Sequence, residues 1–172
     1  MPAFVIRNCG IQDLEQVRDL AMSTFRETFG AANTPEDMHT YLETNFNRET
    51  LGGELACCDS LWVIVEDQDR AVAYMKLNFE NGQTEPGHPG SLEIQRIYVL
   101  YAYKGRHIGS MLIQRAIEIG REHALAYLWL GVWEHNVHAI AFYERLGFTR
   151  FATHRFLLGT DVQTDHLMRR YL

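Results

Sequence analysis

From Leu92 to Phe148 the chain alternates short apolar runs with amphipathic stretches, and that alternation restricts it to architectures mixing helices with a sheet. Leu92 to Val99 reads as a strand. Ile108, Met111, Leu112, Arg115, Ala116 and Ile119 recur at helical spacing. Ala126 to Val132 reads as a second, buried strand. Asn136 then caps a helix whose apolar face is Ala139, Phe142 and Leu146, and Gly147 stands where a helix stops.

The flanking segments extend this order. Phe4 to Cys9 alternates as an edge strand does, and Leu14, Val17, Ala21 and Phe25 mark a helix over about Gln12 to Phe25. Thr34 before Pro35 is a helix start, with Met38, Tyr41, Leu42 and Phe46 as the buried side. Leu61 to Glu66 and Ala71 to Phe79 form a hairpin about the polar turn Asp67 to Arg70, and Glu80 to Gly90 is a Gly- and Pro-bearing loop. Phe148 to Phe156 and Gln163 to Tyr171 close the chain as strands. The expected fold is α/β (α+β): one domain over residues 1–172, with a mixed, mostly antiparallel sheet of about seven strands and helices on both faces.

Charge and cysteines exclude several classes. With 22 acidic against 16 basic residues and a net charge of −6, the chain has no basic stripe to follow a nucleic acid backbone. It shows no leader-like start and no apolar run of membrane-spanning length, so a cytoplasmic location and no membrane partner are expected. Cys9, Cys57 and Cys58, odd in number with two adjacent, are not a disulfide framework; small buried or half-buried thiols are expected. His135 and His138, with Glu134 adjacent, lack a third ligand at recognisable spacing, so no metal is expected.

Chemistry concentrates between the strand ending at Val99 and the helix after it, in Lys104-Gly105-Arg106-His107-Ile108-Gly109-Ser110. Glycines allow close backbone approach, the helix start leaves amides unpaired, and Lys104 and Arg106 add charge, so a pyrophosphate suits the turn. A solvated Gly-containing turn is the plainer alternative for the loop on its own.

Asn136, Ala139, Phe142-Tyr143 and Gly147-Phe148 resemble the signature of the GCN5-related N-acetyltransferase (GNAT) family. The loop corresponds to that family's pyrophosphate motif, Gln or Arg, two residues, Gly, one residue, Gly or Ala. Lys104, His107 and Gly109 fill those places, and His107 departs from the usual glycine. A second likeness is to PaiA-type polyamine acetyltransferases. It rests on Thr24 to Phe29, Tyr41-Leu42, Trp133-Glu134, Gly159-Thr160-Asp161 and Asp165 to Met168.

The resemblance implies acetyl transfer from acetyl-CoA to a primary amine, with the amides of Gly105 to Ser110 on the pyrophosphate and Asn136 touching the cofactor. The edges of Ile97, Tyr98 and Val99 would pair with pantetheine like an added strand. Tyr143 would be the general acid for the leaving thiolate, and Glu93 the general base, with Glu134 or a water relay as alternatives. An acidic protein would attract a polycation, so a small polyamine is the favoured acceptor. Protein N-termini or lysines, or a non-catalytic acyl-CoA-binding regulator, are the alternatives, in a monomer or homodimer.

Overall fold

A computed structural model describes residues 4–172. Its seven strands form one sheet in the order β1-β2-β3-β4-β5-β7-β6. They are β1 (Val5–Cys9), β2 (Ser60–Asp67), β3 (Arg70–Asn78), β4 (Ser91–Val99), β5 (Tyr127–Trp133), β6 (Thr149–Leu158) and β7 (Asp161–Tyr171). Every pairing is antiparallel except β4 with β5. The mixed, mostly antiparallel sheet expected from the sequence is therefore the one observed.

Five helices cover its two faces: α1 (Leu14–Phe29), α2 (Pro35–Asn45), α3 (Arg48–Ala56), α4 (Ile108–Glu122) and α5 (Val137–Arg145). Alternation along β2 divides the cores. Val63 and Val65 join Leu112, Ala116 and Tyr143 beneath α4 and α5. Trp62 and Ile64 join Val17, Phe25, Leu42 and Leu51 beneath α1, α2 and α3. Thr34 caps α2 by accepting from the Asp37 amide at 3.1 Å. Among the described residues no helix is long and apolar enough to cross a membrane.

Two local expectations are corrected, and one helix is added to those expected. α1 begins at Leu14, after a 3-10 turn, and runs a full turn past Phe25 because Phe29 is buried in the same core. α3 carries no clear periodicity: Gly52 and Gly53 interrupt it, each costing about 1 kcal/mol against alanine, and only Leu51 and Leu55 reach the core. Its start is nevertheless marked, since Asn47 accepts from the Thr50 amide at 2.9 Å. Cys57 and Cys58 are exposed in the turn after α3, and only Cys9 is half-buried.

Candidate active site

The parallel pair β4 and β5 holds register at only three positions, ending with Glu93 opposite Trp129. Beyond it β4 follows β3 as far as Val99 opposite Ala73, while β5 follows β7 as far as Trp133 opposite Asp165. The strands part like a V, leaving the β5-facing backbone edge of Ile97, Tyr98 and Val99 without a strand partner. Gln95 is skipped between Arg96, opposite Lys76, and Ile94, opposite Leu77, so a bulge turns β4 just where the split begins.

A cavity of about 930 Å³ fills the V. It is lined by Glu93, Ile97, Tyr98, Val99, Lys104, Gly105, His107, Ile108, Gly109, Ser110, Asn136 and Tyr143, which the tertiary fold gathers from three segments. Two candidates lie outside this lining. Arg106 stacks on Phe4 and Tyr103, with its guanidinium 4.7 and 5.0 Å from the ring centres, and faces Asp67 at 3.8 Å. Glu134 is half-exposed on the turn before α5, 3.6 Å from His135.

At one end of the cavity stands the start of α4. His107 is its N-terminal cap residue, with φ 63° and ψ 9°, in left-handed backbone. The place where the family pattern carries glycine is thus a place that requires positive φ, a conformation histidine tolerates better than most side chains. The first helical hydrogen bond runs from the Met111 amide to the His107 carbonyl, at 3.0 Å, so the amides of Ile108, Gly109 and Ser110 precede the ladder and are free for an anion. Gly109 also admits the Phe142 ring, which would meet a Cβ there at 3.1 Å.

α5 is rotated relative to the face expected from its pattern. Tyr143 is its buried residue, while Ala139, Phe142 and Leu146 are half-buried along the cavity. Those three border the open V, and Tyr143 points into the core beside Phe148, their ring centres 5.7 Å apart. Burial alone raises the Tyr143 phenol above its ordinary value. Asn136 caps the helix by accepting from the Ala139 amide at 3.3 Å.

The other end is aromatic, walled by Phe25, Phe29, Tyr41, Phe46, Trp129, Trp133 and Phe156. Glu93 is only 3% exposed. Its Oε2 accepts from Asn78 Nδ2 at 2.9 Å and from the Thr84 amide at 2.8 Å, and its Oε1 accepts from the Thr84 hydroxyl. The carboxylate thereby ties the 80–90 loop to β4. Arg96, in the wall of the cavity, grips Glu54 behind it through two bonds, 2.7 and 3.2 Å, and Lys76 reaches the same carboxylate at 2.7 Å. Burial pushes Glu54 up, but Arg96 and Lys76 outweigh it and hold the carboxyl below its usual range.

Sequence reasoning passed over Asp165 and His154 as site residues, although Asp165 lay in a stretch already matched to the polyamine acetyltransferases. Opposite each other on β7 and β6, both line the cavity. Their signal was the missing side chain of Gly131 in the middle of β5, a mark of close approach within a strand.

Residues 14–148 match the sequence profile of the Acetyltransferase (GNAT) family. The chain belongs to the GNAT family. It is 42% identical over 161 residues to an N-acetyltransferase from the pepI 3' region of Lactobacillus delbrueckii subsp. lactis, covering 94% of this chain and 93% of that one. The fold resembles that of the PaiA N-acetyltransferase from Thermoplasma acidophilum, solved in complex with coenzyme A (TM-score 0.81, 19% identity, 99% of each chain). It also resembles the ribosomal-protein-S18-alanine N-acetyltransferase from Escherichia coli (TM-score 0.74, 17% identity, 98% of this chain and 94% of that one). As a GNAT member the chain is an acetyl-CoA-dependent N-acetyltransferase. The V-shaped opening, the unpaired β4 edge and the free α4 amides suit a long thioester ending in a pyrophosphate. Among the described residues no group of three His, Cys, Asp or Glu side chains is placed to hold a metal ion.

Proposed function

We propose that this GNAT enzyme acetylates the primary amine of a small polyamine. The observation that carries the reading is the acceptor end of the cavity, where Asp165 sits among Phe25, Tyr41, Trp129, Trp133 and Phe156, with Glu85 on the adjoining loop. Aromatic faces attract alkylammonium groups and carboxylates neutralise them, so an extended polycation finds both partners there. Glu54 is bound to both Arg96 and Lys76 and offsets one of these two positive charges.

Acetyl-CoA supplies the acetyl group as a thioester. The α4 amides and Lys104 hold its anionic end, the free edge of Ile97 to Val99 aligns its amide arm, and Asn136 fixes the start of α5. The phenol of Tyr143, kept protonated by burial, gives a proton to the departing sulfur.

Steady-state assays of CoA release with spermidine, spermine, simple monoamines and acceptor peptides test the reading. Polyamines giving the highest kcat/KM support it. Peptides outperforming polyamines would move the assignment to protein N-termini or lysines, and acetyl-CoA binding without release for any amine would make the chain a non-catalytic binder.

A further inference from the structure

β7 pairs with β6 so that Asp165 stands directly opposite His154. Asp165 Oδ2 lies 3.6 Å from His154 Nε2, and on the far side of the ring His154 Nδ1 lies 2.8 Å from Glu85 Oε1. The three groups form a line from the cavity outward, with side chains 14, 30 and 29% exposed. Two atoms of the line, Asp165 Oδ1 and His154 Nδ1, are buried without a hydrogen-bond partner, so both approaches are close charge-pair contacts open to a transferred proton.

Gly131 makes the room. A Cβ there would meet His154 Cε1 at 3.1 Å and Asp165 Oδ2 at 3.3 Å, so both groups lie over the open face of β5, two residues past the last β4 partner. The two carboxylates nominated by the sequence are placed differently. Glu93 has donors on both oxygens, and Glu134 stands outside the lining.

Resting on the acetyltransferase reading above, we propose that Asp165 is the catalytic residue that takes the proton from the acceptor ammonium, and that His154 and Glu85 carry that proton to solvent. The ammonium, desolvated against the aromatic walls, gives one proton to Asp165 Oδ2, and its freed lone pair forms the C–N bond as the C–S bond breaks. Sulfur takes the Tyr143 proton. The second N–H proton, lost as the amide forms, restores the phenol, so one proton per turnover leaves through His154.

The electrostatics agree with such a duty. Burial pushes the Asp165 carboxyl up to about 6, with His154 restraining the rise and Glu134 and Glu85 adding to it. A base near that value is mostly ionised at neutral pH and far stronger than an ordinary carboxylate. The charged and titratable groups facing it are His154 from β6, Glu85 from the 80–90 loop, Glu134 from the end of β5 and Tyr41 from α2.

The test is the pH profile of kcat with saturating acetyl-CoA and whichever amine the panel shows to turn over fastest. Wild type should lose activity on the acid side with a midpoint near that of Asp165, and Asp165→Asn should lower kcat by about 100-fold or more at neutral pH. Replacing neighbours should move the acid limb in opposite directions. His154→Gln removes the ring that restrains the rise of the Asp165 carboxyl and shifts the limb to higher pH, whereas Glu134→Gln removes a like charge and shifts it lower. A purely structural role would move neither, and if Asp165→Asn fails to fold these two variants carry the test. Unchanged kcat in Asp165→Asn, or an acid limb fixed in both neighbour variants, overturns the proposal while leaving the enzyme intact. Turnover of peptides but not polyamines would overturn only the substrate reading, and no turnover with any amine would remove both.

Discussion

Phe142 Cζ lies 3.1 Å from the point where a Cβ would stand on Gly109, so the start of α4 and the middle of α5 meet through a glycine and a ring edge. This contact sets the width of the cavity at the α4 end, since both residues line it. Replacing Gly109 by Val adds branches where the ring has no space. Overpacking of this kind should cost about 1–3 kcal/mol, or roughly 2–10 °C in Tm. Acetyl-CoA affinity, measured by calorimetry, should fall with it as α5 is pushed outward. Unchanged Tm and affinity would mean that α5 moves freely.

Tyr143→Phe separates packing from proton donation. Burial alone shifts the phenol, with no bonded or charged partner contributing, so deleting the hydroxyl should leave Tm within about 2 °C, the shift that a small fraction of a hydrogen bond's ~1 kcal/mol would produce. kcat should fall by about 100-fold while the acetyl-CoA Kd stays put. Because burial holds the phenol above its ordinary value, wild-type donation should persist into alkaline solution. Wild-type turnover by Tyr143→Phe would assign the proton to water or another group.

His107→Gly should stabilise the protein. Histidine holds φ 63° here at a cost of about 1 kcal/mol, which glycine does not incur, so Tm should rise by roughly 2–4 °C. The anion-binding groups are backbone amides present in either variant, so acetyl-CoA affinity should stay within about threefold. A large loss of affinity would show that the imidazole itself touches the cofactor.

Glu54 holds two buried cations. Glu54→Ala leaves Arg96 and Lys76, 8 and 5% exposed, facing each other without a carboxylate, and should destabilise the fold by about 3–5 kcal/mol in urea titrations. The pH dependence follows from the carboxyl's depressed value in the fold. Its contribution is complete above the unfolded-state value of about 4.3 and is lost as pH falls through the lower folded value. Stability curves of wild type and Glu54→Ala should therefore converge toward pH 3. Parallel curves down to that pH would show that the carboxylate contributes little.

Much of the fold was legible because local chemistry and global packing agree. Thr34-Pro35 and Asn136 are helix starts in any context, and the apolar run of β2 with the polar turn into β3 needs no distant partner to be read. α3 was not legible. Its two central glycines suppress the pattern, and it forms because Leu51 and Leu55 fill the space between α1 and β2.

For the site, sequence alone marked the end we assign to the cofactor. The 104–110 turn and the Asn136 helix are contiguous stretches, and free amides at a helix start suit an anion wherever the helix is placed. Only the tertiary structure marked the end we assign to the acceptor. Asp165 acquires its character from burial on β7, from His154 across the β6 pair, from Glu85 on a loop 80 residues earlier and from the vacancy over Gly131. A carboxylate's basicity depends on what surrounds it in space, and strand pairing between distant segments supplies those neighbours.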